Sequence, residues 1–521
     1  MKKILFLLFL PILSLAEGID DKIDLAFAPI SSFFSSVVFF TVYGIPFVLV
    51  LLVFSALFFT IYFGFPNIKY FKIAINTVRG KYDHIDNHES SSNVTDVKGT
   101  IKDESQEGEV SHFQALATAV SGTVGNGNIA GVALAIALGG PGATFWMIVC
   151  GLLGMSTKFV ECTLGVQYRD IGDDGTVYGG PMYYISKGLK EKGFGILAKI
   201  SSVLFAIFCI GGSFGGGNAA QSNQATIVLK DLLGLESTAS GAIIGCVIAA
   251  IVGVIIIGGI KRIATVTEKV VPFMAVMYLV ACLYIILTNF SFLDDAIQLI
   301  ISEAFNPTAM GVGSVIGVLL VGFKRAAFSN EAGAGSASIA HSAVKTKYSA
   351  SEGLVALLEP FIDTVVICTM TALVIIIFNF GGYFEYGGNG LGTVYIEGIA
   401  YEGAGITSQA FAQYIPFSNI FLTIAVVLFA VSTMISWSYY GLQSWKFIFG
   451  RGFLADLTYK ILFLIFIVIG AASSMKSIWD FSDAMIFAMI FPNMIGLFFL
   501  FPTVKRELQK YLSAIKGDLK K

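Results

Sequence analysis

Residues 116–138 read LATAVSGTVGNGNIAGVALAIAL, an apolar segment long enough to cross a bilayer that is interrupted at its centre. The interruption, SGTVGNGN at residues 121–128, contains three glycines and two asparagines. Glycine in a helix interior costs about 1 kcal/mol, and a backbone group released in hydrocarbon must find another partner. The pattern therefore predicts a helix that unwinds at membrane depth, an arrangement typical of transporter binding sites.

The composition is that of a polytopic membrane protein. The chain has 521 residues, of which 55% are hydrophobic and 13% are charged, whereas soluble proteins carry about 25% charged residues. No basic domain indicates nucleic acid binding, and no hydrolase or metal constellation indicates an enzyme or a cofactor. All six cysteines lie in apolar segments, where we interpret them as packing residues: Cys150, Cys162, Cys209, Cys246, Cys282 and Cys368.

The N-terminus has the pattern of a secretory signal peptide. A basic start, a short apolar stretch at residues 4–15 and the pair Ala16 and Glu17 predict a signal peptide at residues 1–17, because the apolar stretch is too short to span. A short uncleaved anchor is the alternative. Eleven spans of about 20 apolar residues follow, at residues 37–63, 113–138, 143–168, 198–228, 240–260, 271–289, 311–340, 353–379, 417–445, 459–475 and 479–503.

Lysine and arginine residues concentrate in alternate connections between these spans. The predicted outer segments hold only Lys22, Lys230 and Lys476. The positive-inside rule predicts an N-terminus outside and a C-terminus in the cytoplasm, and we expect the chain in the plasma membrane (inner membrane). The predicted segments outside the helical repeats are an outer segment with an extra span at 18–66, a cytoplasmic loop at 67–112, an outer loop at 379–416 and a basic cytoplasmic tail at 504–521.

The ten spans after the first divide into two sets of five, residues 113–289 and 290–503. The second set opens with a similar interruption, FSNEAGAGSAS at residues 328–338. Because each set contains an odd number of spans, the two sets have opposite orientations in the membrane. Paired interruptions in two such inverted halves indicate a transporter binding site. Close helix packing through small residues is the alternative, but it does not explain Asn126 and Asn128 in the first interruption or Asn330 and Glu331 in the second. The predicted fold is an all-α membrane protein with a five-plus-five inverted repeat and one extra N-terminal span.

The first interruption suits a small zwitterion and a cation. The main-chain N–H groups of Asn126, Gly127 and Asn128 begin the resumed helix and would face an anion, with the helix dipole behind them. Glycine also allows a ligand to approach the backbone closely. Carbonyl oxygens around Ser121 and Val124, on the other side of the interruption, suit a hard cation.

Two further spans carry polar side chains at helical spacing. Asn218 and Gln221 are three residues apart, so both could face a cavity, although hydrogen bonding between helices is an equal alternative. Thr433 and Trp437 are four residues apart and could supply a cation ligand and a wall that limits substrate size. A membrane-interface anchor is the alternative for Trp437, since Tyr439 and Tyr440 follow it.

Charged residues inside the spans are functional candidates. We interpret most of them as gating or structural pairs, and Lys158 and Glu161, three residues apart, could pair. Few acids lie near the presumed site, which favours sodium coupling over proton coupling. The residues concerned are Lys158, Glu161, Lys324, Arg325, Glu331, Glu359 and Asp363.

Motifs spread over nearly the whole chain resemble the alanine or glycine:cation symporter family. They are GNGNIAGV at residues 125–132, GGPGA at 139–143, GGPMYY at 179–184, GGIKR at 258–262, VPFMA at 271–275, KRAAFSNEAG at 324–333 and WSYYG at 437–441. The resemblance implies the inverted-repeat fold of the bacterial leucine transporter, sodium as the coupling ion, and alanine or glycine as the substrate.

The resemblance also implies site residues. Substrate contacts would fall on Gly127, Asn128, Gln221, Thr433 and Trp437. The sodium site would combine carbonyls near Ser121 and Val124 with hydroxyls of Ser432 and Thr433. Asn126 stands where a threonine is common and Leu442 where an acidic residue is frequent, and the first departure bears on substrate preference.

We therefore expect a sodium-coupled symporter that moves alanine, or glycine, across the plasma membrane by alternating access. Its expected partners are the amino acid, the sodium ion and the lipid bilayer. Two alternatives stay open, a proton-coupled transporter of another neutral amino acid and a substrate-gated channel or sensor on the same fold.

Overall fold

The structure is a computed structural model that describes residues 19–86, 108–172, 175–235, 237, 239–306, 314–387, 390 and 392–518. The predicted signal peptide at residues 1–17 lies outside the described residues. Most of the described chain is α-helical, in the segments Ile19–Val38, Phe47–Tyr62, Pro66–Lys69, Phe71–Val78, Asp83–Asp86, His112–Thr123, Val132–Gly139, Gly142–Gln167, Pro181–Glu191, Gly195–Phe214, Ala220–Leu233, Ser240–Ile256, Gly259–Thr288, Leu293–Phe305, Val315–Asn330, Ser338–His341, Ser349–Ala356, Leu358–Pro360, Thr369–Asn379, Ala404–Ala412, Ser418–Phe449, Phe453–Ala472 and Met475–Asp518.

Short irregular elements join or interrupt these helices. Three π-helical turns occupy Gly127–Gly131, Gly215–Ala219 and Phe361–Cys368, and a 3-10 turn occupies Phe290–Phe292. Three antiparallel hairpins pair Thr41–Val42 with Ile45–Pro46, Asp170–Ile171 with Val177–Tyr178, and Val394–Ile396 with Ile399–Tyr401.

Seven helices in the described part of the chain are long and apolar enough to cross a membrane, and eight if the bent pair at the first interruption counts as one span. The shorter helices Phe47–Tyr62 and Ser240–Ile256 are also apolar. The protein is therefore a multi-pass membrane protein. Each predicted span overlaps a helix, while the count of eleven and the five-plus-five repeat remain predictions.

The first predicted span, residues 37–63, is not one helix. The helix Ile19–Val38 ends where the predicted span begins, and a hairpin separates that helix from Phe47–Tyr62. Tyr43 and Gly44 have φ values of 52° and 81°, as a two-residue turn between twisted strands requires. An average of hydropathy over 20 residues does not register such a turn.

The helix Ile19–Val38 packs on the outside of the bundle. Its Asp20 carboxylate accepts the N–H groups of Gly241 and Ala242 at 3.2 and 3.3 Å, where it complements the N-terminal dipole of the helix Ser240–Ile256. Further along, the rings of Phe27 and Phe481 lie 5.1 Å apart. These contacts join the predicted outer segment to the rest of the fold.

The predicted cytoplasmic segments contain more helix than expected. The last helix continues to Asp518, through most of the predicted tail. Within the predicted loop 67–112, Phe71–Val78 is helical, and its Thr77 hydroxyl lies 3.1 Å from the Tyr511 hydroxyl of the last helix. The two segments therefore pack together at one end of the bundle.

Candidate substrate and cation site

The first interruption breaks a helix, as predicted. The helix His112–Thr123 begins with a reciprocal capping box between Ser111 and Gln114, and it ends at Val124, whose ψ of 91° leaves the helical region. The chain resumes as a π-helical turn, and the halves His112–Thr123 and Gly127–Gly139 are bent by 50°. The break leaves main-chain N–H and C=O groups that other parts of the chain must satisfy.

Gln221, on the neighbouring helix, satisfies part of this break. Its side-chain Oε1 accepts the main-chain N–H of Asn126 at 3.0 Å, and its main-chain oxygen accepts from Asn126 Nδ2 at 3.2 Å. The Gln221 amide nitrogen donates in turn to Gly216 at 2.9 Å. Among the described residues, buried Asn126 Oδ1 has no hydrogen-bond partner. Gln221 thus satisfies one main-chain N–H group at the start of the resumed helix.

Asn218 does not join this site. Its side-chain nitrogen donates to the Phe463 carbonyl at 2.6 Å, on a different helix. The π-helical turn Gly215–Ala219 lies just before Gln221, and a turn with i to i+5 bonds shifts the phase of the helix faces. Spacing of three residues therefore does not place these two side chains on one side here, and Asn218 makes the interhelical bond that was the alternative.

Of the predicted cation ligands, the Ser121 carbonyl and the Thr433 hydroxyl meet, whereas the Ser432 hydroxyl donates to the Phe429 carbonyl at 3.0 Å. The Ser121 hydroxyl donates to the Ser432 carbonyl at 2.8 Å, and the Thr433 hydroxyl donates to the Ser121 carbonyl at 3.0 Å. Val124 is buried at the end of the same half-helix. The next residue, Gly125, lies so close to Thr433 that a β-carbon there would overlap the hydroxyl. The helix Ser418–Phe449 therefore packs directly against the break.

Trp437 lies deep inside the bundle, since only 1% of its surface is exposed. Its indole N–H donates to Glu331 Oε1 at 2.9 Å, and its ring is in edge contact with Tyr440 at 5.3 Å between centroids. The ring also covers Gly217, where a β-carbon would overlap it. This position rules out a membrane-interface anchor and is compatible with a wall of a buried site.

The second interruption also breaks its helix. Val315–Asn330 ends at Glu331, whose φ of 54° is left-handed, and helix resumes only at Ser338–His341. The Glu331 carboxylate accepts from both Trp437 and Ser336. Both of the predicted breaks are therefore present, and Trp437 connects the helix Ser418–Phe449 to the second one.

The two breaks meet at a residue that the sequence analysis placed among gating or structural pairs. Asp363 Oδ1 accepts from Asn128 Nδ2 of the first break at 2.6 Å and from the Ser329 hydroxyl of the second at 3.1 Å. A β-carbon at Gly127 would lie 3.4 Å from Ser329 Cα. An acid in an apolar span was the signal that could have identified Asp363 as part of the site.

The other buried charges form a separate network. Lys158 donates to Glu359 at 3.0 Å rather than pairing with Glu161, whose Oε1 accepts from Asn493 at 2.7 Å. His341 lies between two carboxylates, with Nδ1 2.5 Å from Glu352 and Nε2 3.6 Å from Glu359. The Lys158–Glu359 contact joins the helix Gly142–Gln167 to Leu358–Pro360, so the predicted pairing of Lys158 with Glu161 is wrong.

A cavity of about 360 Å³ lies beside the half-helix Val315–Asn330, from which Val321 and Lys324 line it. Its lining includes Arg325, Trp479 and Asp483. Trp479 stacks on Phe328 at 4.9 Å between centroids, and the Phe328 ring would lie 3.6 Å from a β-carbon at Gly127. The two aromatic rings thus separate the cavity from the first break, and Arg325 forms an ion pair with Asp483 beside them.

Residues 30–521 match the sequence profile of the sodium:alanine symporter family. The chain belongs to this family. Among its relatives, the sodium/alanine symporter AgcS of Methanococcus maripaludis is 38% identical over 91% of this chain and 96% of its own length. The putative sodium/proton-dependent alanine carrier YrbD of Bacillus subtilis is 35% identical, with 79% of this chain and 83% of the relative covered. The probable sodium/glutamine symporter GlnT of the same organism is 33% identical, over 77% of this chain and 78% of the relative.

Among solved structures, MhsT in complex with L-phenylalanine aligns with a TM-score of 0.49 and 13% identity, over 77% of this chain and 99% of that chain. Family membership, established by sequence, makes this multi-pass protein a transporter of the cation-coupled amino-acid symport class rather than an enzyme.

Proposed function

We propose that the protein is a sodium-driven symporter that imports a small neutral amino acid, alanine or glycine, by alternating access across the plasma membrane. The N-terminus would lie outside and the C-terminus in the cytoplasm. Membership of the sodium:alanine symporter family supports the proposal, as does a relative named as a sodium/alanine symporter that this chain matches over 91% of its length.

The observation that carries the substrate site is the hydrogen bond from the Asn126 N–H to Gln221 Oε1 at 3.0 Å. An amide oxygen here satisfies an N–H group at the start of a resumed helix, where an anion is favoured by the dipole. We infer that the substrate carboxylate replaces Gln221 at the N–H group of Asn126 and also reaches Gly127 and Asn128, whose N–H group would leave the Gly125 carbonyl to which it donates at 3.1 Å. The freed Gln221 amide then turns toward the ligand.

Two residues of the helix Ser418–Phe449 complete the proposed substrate site. Thr433, whose hydroxyl reaches the Ser121 carbonyl at 3.0 Å, would contact the substrate from beside the break. Trp437, held by its bond to Glu331, would form the wall that limits the substrate side chain. A fully buried aromatic wall tolerates a methyl group and excludes larger groups by overpacking.

The proposed sodium site uses the carbonyls of Ser121 and Val124 with the hydroxyls of Ser432 and Thr433. Sodium is a hard cation that oxygen ligands suit. The Thr433 hydroxyl and the Ser121 carbonyl already meet at 3.0 Å, and the Ser432 hydroxyl, which donates to the Phe429 carbonyl at 3.0 Å, would turn toward the ion. Bound sodium would order the break and raise substrate affinity, and the reverse coupling must equal it in free energy.

Alternating access requires barriers on both sides of the site. On one side, Phe328 and Trp479 stack between the cavity and the break, and Arg325 pairs with Asp483. On the side that the charge pattern places in the cytoplasm, Arg451 pairs with Asp170 at 2.5 Å. We propose that these pairs open in turn, one on each side.

Alanine uptake into proteoliposomes tests the proposal. Accumulation of labelled alanine under an inward sodium gradient, and its absence with equal sodium on both sides, is the expected result. Equilibration without accumulation, whatever the sodium gradient, would identify a channel or sensor instead. Accumulation driven by a proton gradient alone would replace sodium with the proton as the coupling ion.

A further inference from the structure

The ring of Trp437 is seated against two glycines of a neighbouring span. A β-carbon at Gly217 would lie 2.1 Å from Trp437 Cγ, and a β-carbon at Gly212 would lie 3.3 Å from Cζ3, at the far edge of the same indole. Both glycines are buried. We call Gly212 and Gly217 the indole socket, because the absence of side chains at these two positions leaves the volume that the ring occupies.

The irregular backbone of this span brings the two glycines to one ring. Residues five positions apart lie about 140° apart around a regular α-helix, so an uninterrupted helix would turn one of these glycines away. Gly217 lies in the π-helical turn Gly215–Ala219, and a turn with i to i+5 bonds shifts the phase of the helix faces. The socket therefore depends on the π-helical turn as well as on the two glycines.

The other sides of the indole face the two breaks. Its N–H donates to Glu331, at the second break, at 2.9 Å, and its ring meets Tyr440 in edge contact at 5.3 Å between centroids. Tyr440 in turn adjoins the first half-helix, because a β-carbon at Gly122 would lie 2.9 Å from its hydroxyl. A ring displaced from the socket would therefore move toward the residues that border the breaks.

We propose that Gly212 and Gly217 set the size limit of the substrate by fixing the depth at which the Trp437 ring is seated. The inference rests on the proposed function, because it concerns one wall of the proposed substrate site. The two glycines are positioning residues, since they act through the ring and do not contact the amino acid. A methyl group added to the socket would push the indole toward the breaks and fill the space that the side chain of alanine needs. Glycine as a substrate has no side chain to exclude.

Gly212→Ala is the sharper test of the socket. At 3.3 Å, the added β-carbon requires the ring to shift by a few tenths of an ångström, whereas the overlap at Gly217 would force the two helices apart. The matched control is Gly253→Ala, whose β-carbon would lie 3.3 Å from Leu464 Cδ1. This contact is equally close, and the apolar cluster on which Leu464 packs contains no proposed site residue.

The selectivity between glycine and alanine measures the depth of the wall. In proteoliposomes under an inward sodium gradient, the ratio of kcat/KM for glycine to that for alanine should rise about fivefold in Gly212→Ala. It should stay at the wild-type value in Gly253→Ala. Trp437→Phe shortens the ring beyond the reach of the added methyl group. Adding Gly212→Ala to Trp437→Phe should therefore leave the ratio of the single Trp437→Phe variant unchanged, a coupling that a general loss of stability would not produce.

An unchanged ratio in Gly212→Ala would overturn the indole socket as a determinant of substrate size and leave the proposed function standing. The same rise in Gly253→Ala, or the same rise on adding Gly212→Ala to Trp437→Phe, would also overturn it. If Gly212→Ala lowers the Tm markedly, Trp437→Phe should restore the Tm, and failure to restore it would overturn an action through the ring. A wild type that accumulates neither alanine nor glycine under a sodium gradient would overturn the proposed function itself.

Discussion

Gln221 and Asn126 are joined by two hydrogen bonds, one from the main-chain N–H of Asn126 to Gln221 Oε1 at 3.0 Å and one from Asn126 Nδ2 to the Gln221 carbonyl at 3.2 Å. The residues are 95 positions apart in the chain. A single glutamine therefore satisfies one main-chain N–H group at the start of the resumed helix, and we propose that the substrate carboxylate binds this same group.

Replacing this glutamine should weaken substrate binding. Gln221→Ala removes the amide proposed to turn toward the ligand, and a hydrogen bond to a charged group is worth about 1.5–3 kcal/mol. We expect the KM for alanine to rise about tenfold or more. The control is Gln443→Ala, which truncates a buried glutamine whose amide donates to the Val177 carbonyl at 3.4 Å. Equal alanine KM values in Gln221→Ala and wild type would contradict the substrate role.

The hydroxyl of Thr433 should matter for sodium. Thr433→Val keeps the shape of the side chain and removes the oxygen that now reaches the Ser121 carbonyl, so the half-saturating sodium concentration should rise about tenfold. Thr433→Ser, which keeps the hydroxyl, should have a half-saturating sodium concentration near that of the wild type. Thr423→Val is the control, since Thr423 is a buried hydroxyl on the same helix that donates to Val228 at 3.5 Å. A sodium response unchanged in Thr433→Val would remove this residue from the ion site.

Two glycines of the first break should differ in what they tolerate. A β-carbon at Gly125 overlaps the Thr433 hydroxyl, whereas the nearest atom to a β-carbon at Gly127 lies at 3.4 Å. Gly125→Ala should therefore destabilise the fold by about 1–3 kcal/mol, measured as a lower Tm. Gly127→Ala should keep a Tm near that of the wild type and yet impair alanine uptake, because the methyl group blocks close approach by the ligand. Full uptake by Gly127→Ala would place the substrate elsewhere.

Trp437 should set the upper size limit of the substrate. Trp437→Ala removes the buried ring that covers Gly217, and Trp437→Phe removes mainly the bond to Glu331. We expect Trp437→Ala to let leucine compete with labelled alanine, whereas in the wild type leucine competes weakly. Trp445→Phe, two turns further on the same helix and with its ring centroid 4.2 Å from that of Phe449, should retain wild-type selection. Equal competition by leucine and alanine in the wild type would remove the basis for this prediction.

Arg451 and Asp170 should hold the predicted cytoplasmic side closed. Burial raises the pKa of the Asp170 carboxyl. The hydrogen bond from Arg451 and the charge of Lys187 lower this pKa by more than burial raises it, so that the net pKa lies below its usual range. A lowered pKa means that the pair persists above that pKa and is lost as pH falls through it. Arg451→Ala should therefore speed alanine exchange modestly, by a factor that stays constant between about pH 5 and 8. Because the pair is partly exposed, high salt should narrow the difference between wild type and variant. A ratio that changes across this pH range would assign the effect to another group.

The local sequence pattern predicted those features of the fold that depend only on residues close together in the chain. Glycine and asparagine at residues 121–128 cannot continue a stable helix, and the structure bends there by 50°. Glu331, with its φ of 54°, ends the second half-helix within the second predicted interruption. The hairpin at residues 41–46 was missed because an apolar run hides a turn from any average of hydropathy, even with Gly44 and Pro46 present.

By itself, the sequence determined a membrane protein with two broken helices and most of the residues that surround the first break. Membrane solvation and helix propensity depend on residues close together in the chain, so both can be inferred from the sequence. Only the tertiary structure decided which side chains meet: Asn128 with Asp363, 235 positions away, Lys158 with Glu359 rather than Glu161, and Asn218 with Phe463 rather than with the site. Such partners depend on how helices pack and where π-helical turns shift their faces, and neither is encoded in the spacing of residues along one helix.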